Sequence, residues 1–378
     1  MSEVAALMIQ ASNAGVAHYR LDSWAQAAYR LRAGHFFIPW YDKSLDETHP
    51  WESDLLDTRY RTRIKSELAS HAKTAKVLVS QMCHTEPALI ELVELKCLNK
   101  IPLVTEIDDN ILSTPTYNVA HSTYRPGSAF RSLAIDQFRM SDAMIVSTPY
   151  LKEVYSEFNP NIYVIPNSLD FRIWDNLKHR RNTDFIRIGW AGGKTHEEDL
   201  RIVEPIVRKT LERHTNVRFS FVCGVPKFFR GIDRVETIDE GVRIDRYPQF
   251  LASRSFDIGL APLVDNAFNR GKSNLRWLEY AGLKVPCVAS NVGHFAETIT
   301  QDHDGILCEN QNEGEWLEAL EWLISDEKER RRMGKAANQT ARRKFNVEAN
   351  VFEYAKVLNE IIDRGQVVKL PESQEASA

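Results

Sequence analysis

The chain reads as an α/β protein built from two doubly wound parallel sheets, and three observations predict this. Short apolar runs of strand length alternate with helical patterns through both halves, the signature of successive βαβ units. The alternation breaks once, at Pro166–Asp170 and the charged run LKHRRNTD, as it does at a connection between domains. The 378 residues also exceed what one ordinary core organises.

In the first half, VAALMIQ (4–10), AKVLVSQ (75–81), IPLVTEI (101–107), AMIVST (143–148) and IYVIP (162–166) are Val- and Ile-rich and read as strands. Helical patterns fall around 20–33, 60–72, 86–98, 128–140 and 150–157. The second half repeats the scheme with strands at 186–191, 218–224, 234–238, 257–263, 286–290 and 305–309, then a helix over 313–324 and a last long helical pattern. The expected organisation is therefore an N-terminal domain over 1–172 and a C-terminal domain over 183–345. A closing helix over 346–365 packs back on the first domain, and a polar tail over 366–378 is expected to be disordered.

Composition narrows the function. Hydrophobic content of 43% and charged content of 26% suit a globular enzyme. A net charge of −4 argues against a chain that coats nucleic acid, so nucleic acid is not an expected partner. The N-terminus has no signal-peptide pattern, and no apolar run reaches the roughly 18 residues of a membrane span. The five cysteines are dispersed without CxxC spacing, which points to a reduced, cytoplasmic setting without structural zinc. Arg61, Arg63 and Lys65 leave open a peripheral contact at the inner face of a membrane.

Open α/β sheets bind ligands at the carboxyl ends of their strands, so the loops there are where chemistry is expected. The richest stretch runs from Phe268 to Ile299. Gly271, Lys272 and Ser273 precede a helix whose free N–H groups and positive dipole end suit a phosphate. Gly271-Lys272-Ser273 copies the end of a P-loop, but position 266 is Asn where a P-loop needs Gly, which excludes that reading. Glu279, two turns on, can accept two hydroxyl hydrogen bonds as the acidic residue of a dinucleotide fold does with ribose. Asp265, Asn266, Asn269 and Arg270 share the preceding loop, where amides read sugar hydroxyls and cations neutralise phosphates.

Three further turns complete the candidate site. Ser12, Asn13 and Gly15 form a small-residue turn that lets a ligand approach the backbone, with Arg20 one turn inside to reach a phosphate or an acceptor carboxylate. Glu106, Asp108 and Asp109 crowd another strand end. Their mutual repulsion must be offset, and they read as a base or hydroxyl-binding group, as a divalent-metal site, or as a solvated turn. In the second half Gly192 and Gly193 free the backbone beside Lys194, a turn that suits a diphosphate but is not the GxGxxG of an oxidoreductase. His196 reads there as a local hydrogen-bond partner.

The segments GVAHYRL, LVTEIDDNIL, SDAMIVSTPYLKEVY, YVIPNSLD, IRIGWAGGKTHEEDL, DIGLAPLVDNAFNRGKSNLRWLEYAGLKVPCVAS and FEYAKVLNEII together resemble the retaining glycosyltransferases of family 4, also called group 1. The resemblance covers nearly the whole chain and implies the GT-B fold, two Rossmann-like domains facing across a cleft with a C-terminal crossover helix. It implies a nucleotide-sugar donor held by the C-terminal domain and a glycan or lipid-linked acceptor held by the other, in polysaccharide biosynthesis. Glu279 matches the second glutamate of the family's E-x7-E pattern, which binds donor ribose; the first falls at Gly271 and is absent. Asp108 and Asp109 occupy the place of the family's reaction-centre His-Asp. Retention in such enzymes proceeds by front-face attack with the leaving diphosphate taking the acceptor proton.

The expected assignment follows from these readings. Lys272 and Lys194 stabilise the leaving group, with Asp108 and Asp109 at the reaction centre. Ser273, Asn269, Gly192, Gly193, Gly15 and Glu279 serve the donor, and Asn13 and Arg20 the acceptor. No cofactor or divalent metal is required, since lysines and a helix dipole can supply the charge. The alternatives are a nucleotide-sugar 2-epimerase, a catalytically inactive sugar-nucleotide-binding subunit, and glycosylation of modified nucleic acid.

Overall fold

The computed structural model describes residues 4–10, 17–38, 66–83, 85–180 and 184–367. Two six-stranded sheets, parallel throughout, account for the two halves. The first holds β1 Val4–Ile9, β2 Gly34–Phe37, β3 Val77–Ser80, β4 Leu103–Ile107, β5 Ala143–Val146 and β6 Ile162–Val164, in the order β2-β1-β3-β4-β5-β6. The second holds β7 Ile186–Ala191, β8 Val217–Val222, β9 Val235–Ile238, β10 Ile258–Ala261, β11 Cys287–Ser290 and β12 Ile306–Cys308, in the order β12-β11-β10-β7-β8-β9.

Alternation along each strand explains the layering. In β1, Val4, Ala6 and Met8 join the core under the helix Ser23–Leu31, while Leu7 and Ile9 join the opposite core under the helix Glu86–Asn99. A strand covered on both faces cannot show polar residues on one side, which is why VLVS, AMIV, IGLA and CVAS are buried at every position. The short strand β2 has no counterpart among the sequence-derived strands. Gly34-His35-Phe36-Phe37 is four residues at a sheet edge with His35 exposed, too short and too mixed to stand out from its flanks.

The chain leaves the first sheet and returns to it side by side. Leu169 N–H donates to the Phe345 carbonyl at 2.9 Å, and Val347 N–H donates to the Leu169 carbonyl at 3.1 Å. The helix Val347–Val367 then lays Val347, Val351, Tyr354, Leu358 and Ile361 into the core of the first domain. Spacing of four and three residues puts those side chains on one face. The expected helical pattern before 66, the turn at 11–16 and the tail after 367 lie outside the described residues.

Both sheets point their carboxyl ends at one cleft. Asp108 and Asp109 follow β4, Gly192 follows β7, and the loop after β10 leads to the helix Leu275–Gly282. The candidate residues of both halves are thus brought face to face.

Candidate active site

The helix Leu275–Gly282 begins without a side-chain cap, so its first N–H groups stay available. Just before it, the Lys272 ammonium lies over the Phe268 ring, 4.6 Å from its centroid. One turn later Arg276 sits 5.4 Å over the Trp190 indole and donates to the Tyr247 hydroxyl at 3.4 Å. These two cations, Ser273, Trp190 and His196 form one wall of a cavity of about 180 Å³. Asp108, Asp109 and Asn167 from the first domain form the facing wall. Ligand pockets usually reach roughly 300–1,000 Å³. This cavity is smaller because protein groups close across it: Lys272 Nζ donates to Asp109 Oδ1 at 2.7 Å, and Asn167 Nδ2 donates to Ser273 Oγ at 2.8 Å.

A larger groove, about 590 Å³, runs between the helices Glu86–Asn99 and Ala129–Met140. Its charged lining is acidic, Glu86, Glu94 and Asp136, and it lies away from the strand ends. It is unsuited to an anionic ligand, whereas the smaller cavity joins cations to the strand-end carboxylates.

The crowded acids of the β4 end are offset by cations of both domains. Glu106 Oε1 accepts from Arg20 Nε at 2.5 Å and its other oxygen accepts from Gln81 at 3.0 Å, both fully buried. Asp109 takes Lys272. Asp108, between them, is pushed up to about 7 by burial and by its neighbours Asp109 and Glu106, against the pull of Arg20 and Lys272. Burial alone would lower the Lys272 ammonium, but the carboxylates Asp109, Asp108 and Asp199 together outweigh it and the net shift is upward.

Glu279 is the centre of a second network. Its carboxylate, buried, accepts from the Tyr19 hydroxyl at 3.2 Å, the Tyr247 hydroxyl at 3.2 Å and Arg276 Nη1 at 3.4 Å. Burial raises its pKa despite these donors. Tyr19 reaches it from the first domain through the π-helical turn His18–Asp22, which also turns Arg20 toward Glu106. Such single turns recur at functional sites.

Several expected residues have other partners. Arg20 is 1% exposed, and its guanidinium also donates to the Ile165 carbonyl at 2.6 Å and Asn167 Oδ1 at 3.1 Å. It braces the strand ends instead of standing free for an acceptor. Asn269 is buried with its amide donating to Asp199 Oδ1 and the Val264 carbonyl, so it secures the loop. Gly192 is needed for close approach: a Cβ there would lie 2.5 Å from Trp190 and 2.6 Å from Arg276, whereas Gly193 faces open space. Lys194 begins the 3-10 turn Lys194–His196, and its side chain is outside the described atoms. Asn13 and Gly15 lie outside the described residues.

Arg276, Trp190, Tyr19, Tyr247 and Asn167 were absent from the sequence-derived set. The spacing Lys272 to Arg276, one turn apart at the start of a helix, was the available signal for Arg276.

Residues 275–340, which begin at this helix, match the family described as "Glycosyl transferases group 1". The chain carries a group 1 glycosyl transferase segment. That segment supplies Arg276 to the cavity and Glu279 to the buried network beside it, while Lys272 and Ser273 lie just before it. The D-inositol 3-phosphate glycosyltransferase of Corynebacterium jeikeium (strain K411) is 25% identical over 191 residues, 47% of this chain and 44% of that protein. The chain thus spans less than half the length of the curated relatives it matches, 39% for the Corynebacterium urealyticum counterpart. Among solved structures, the sucrose-phosphate synthase of Thermosynechococcus elongatus superposes with a TM-score of 0.67 at 12% identity, covering 95% of this chain and 100% of that one. Anabaena HepE, solved in complex with UDP, gives 0.61 at 13% identity, with 94% and 100% covered. The group 1 segment therefore sits in a GT-B fold whose two domains are both present here.

Proposed function

We propose that the protein transfers a sugar from a nucleotide-sugar donor to a hydroxyl acceptor, with retention at the anomeric carbon. The observation that carries this reading is a single cavity with Lys272 and Arg276 on one wall and Asp108 and Asp109 on the other. Cations before and within the first turn of a helix suit a departing diphosphate. Carboxylates opposite suit the hydroxyls of an acceptor. The structural relative HepE is solved with UDP and with UDP-glucose, which favours a nucleotide-sugar donor of that class.

In this scheme the diphosphate lies against Lys272 and Arg276, with Lys194, Gly192, Gly193 and the uncapped N–H groups after Ser273 completing the cradle. Glu279 exchanges the Tyr19 and Tyr247 hydroxyls for those of the ribose. The bond from the anomeric carbon to the diphosphate oxygen breaks while the acceptor oxygen bonds on the same face. The acceptor proton passes to the departing phosphate, and Asp108 and Asp109 orient the acceptor, a glycan or lipid-linked hydroxyl. Cationic side chains supply the charge that a divalent metal supplies elsewhere, so activity is expected to survive EDTA.

Thermal-shift screening of UDP-, GDP- and ADP-linked sugars tests donor binding, since a bound donor raises Tm by mass action. Incubation of the stabilising donor with candidate glycan acceptors, followed by NMR of the product anomer, tests transfer and retention. An epimerised donor formed without acceptor would replace transfer with epimerisation. Binding with neither hydrolysis nor transfer would leave an inactive binding subunit.

A further inference from the structure

The C-terminal wall of the cleft contains a histidine–aspartate pair to which the scheme above gives no role. His196 follows the glycine turn after β7, and its Nδ1 meets Asp199 Oδ2 at 2.8 Å. Asp199 is 2% exposed, and its other oxygen accepts from the Val264 N–H at 2.7 Å and from Asn269 Nδ2 at 2.8 Å. The two donors on Oδ1 fix the orientation of this carboxylate and leave Oδ2 as an acceptor facing the imidazole. It therefore holds the Nδ1 proton and leaves Nε2 as the ring nitrogen for a ligand.

The ring is fixed on its other side as well. Trp190, 1% exposed, meets it edge to face at 5.8 Å, and the same indole carries Arg276 at 5.4 Å. Trp190 thus sets His196 and Arg276 side by side. Both line the cavity together with Lys272.

We propose that His196, held by Asp199, takes up a proton when the donor diphosphate enters the cleft and so becomes a third cationic partner of the leaving group. This rests on the nucleotide-sugar reading above. The physical argument is one of charge balance. Facing His196 are the cations Lys272 and Arg276 from the loop and helix after β10, the carboxylates Asp108 and Asp109 from the opposite wall, and Asp199 on its own segment, where Glu197 and Glu198 are instead paired with Arg201. Without a ligand, burial lowers the imidazole pKa, and Arg276 and Lys272 lower it further against Asp199. A diphosphate seated on the two cations cancels their repulsion and adds an acceptor for Nε2–H. The proton comes from solvent, and Asp199 keeps the resulting imidazolium paired. After turnover, loss of the nucleoside diphosphate restores the repulsion and the proton returns to water. The histidine would thus be neutral in the free enzyme and charged while a leaving group needs stabilising.

Calorimetric titration of the full chain with UDP at pH 7.5, in buffers of low and high ionisation enthalpy, reads the number of protons taken up on binding. The wild type should take up at least roughly half a proton more than His196→Gln, with the variant binding UDP within about tenfold. Equal uptake in both overturns the proposal and moves the proton to another group, Asp108 first. If the wild type does not bind UDP, the titration is run with GDP and ADP; protein that binds none of the three removes the donor reading itself, and the proposal falls with it. Because the variant can misfold, the same question is put to the wild type by NMR of histidine labelled with ¹⁵N. One imidazole should pass from a neutral tautomer to the imidazolium on UDP addition, and no change in any imidazole overturns the inference.

Discussion

Lys272 Nζ and Asp109 Oδ1 meet at 2.7 Å across the cleft, 163 positions apart in the chain. The cation expected at the leaving group is already paired with a carboxylate of the opposite domain, so Asp109 holds the place of an anionic ligand. Lys272→Ala should lower turnover by roughly a hundredfold or more if this ammonium stabilises the departing diphosphate. Asp109→Asn should act in the other direction on binding. With Lys272 released, UDP affinity should rise several-fold while transfer falls, because one acceptor-side carboxylate is lost. Calorimetry and initial rates on both variants check this, and unchanged UDP affinity in Asp109→Asn would show that the pair does not compete with the ligand.

Asp108 makes stability depend on pH in a defined direction. Its folded pKa of about 7 stands above the ordinary 3.8, chiefly through burial and then through Asp109 and Glu106. A carboxyl that binds its proton more tightly when folded adds stability that is fully present below the unfolded pKa and is lost as pH rises through the folded one. Wild-type stability should therefore decline between about pH 4 and pH 7 by this contribution. Asp108→Asn, neutral throughout, should flatten that decline and be the more stable protein above about pH 7. Urea melts of both proteins from pH 5 to pH 8 check it; a difference that shrinks as pH rises would contradict the assignment.

What the sequence made legible and what it hid follow from how each feature arises. Strands such as VLVS and CVAS show themselves because burial on both faces demands continuous apolar runs. The edge strand Gly34–Phe37 carries no such demand. Lys272, Asp108 and Asp109 stand out as charges beside strand ends, which is a local property. Their partners do not, because domain facing sets them. Arg20 and Asn269 show the cost of reading residue type alone: both are the kind that binds ligands, and both are used up inside the protein, by Glu106 and by Asp199. Tyr19 and Tyr247 were invisible for a related reason, since their convergence on Glu279 joins three separate stretches of chain.

That convergence makes Glu279 a structural hub as well as a candidate ribose ligand. Glu279→Ala would leave the Tyr19 and Tyr247 hydroxyls and Arg276 without their shared acceptor. A loss of about 1–3 kcal/mol is expected from the unsatisfied donors, together with weaker nucleotide binding. Glu279→Gln keeps the shape and one acceptor oxygen but loses the charge opposite Arg276, so it should be the milder of the two in stability. Chemical denaturation alongside UDP calorimetry separates the effects; wild-type stability in Glu279→Ala would refute the hub.

Gly271 stands where the resemblance to family 4 implies the first glutamate of the E-x7-E pattern, and its surroundings leave little room for any side chain. The backbone there is ordinary, φ −77° and ψ −15°, so conformation does not demand glycine. Space does. A Cβ would lie 2.9 Å from Leu151 Cδ2, 3.1 Å from Asn110 Cβ and 3.2 Å from the Phe268 carbonyl oxygen. Leu151 is fully buried and has little room to swing, and Asn110 is tied to this loop through its amide, which donates to the Ala267 carbonyl at 2.9 Å. The first domain thus occupies the volume that a side chain at 271 would need. Gly271→Ala should cost about 1–3 kcal/mol by overpacking, and Gly271→Glu more, because a carboxylate would be forced between Leu151 and Asn110. Restoring the family residue should therefore lower Tm without improving donor use. A Gly271→Glu protein that melts like the wild type and transfers sugar faster would mean that the cleft opens at this point during turnover, which would free the contacted volume for the donor sugar.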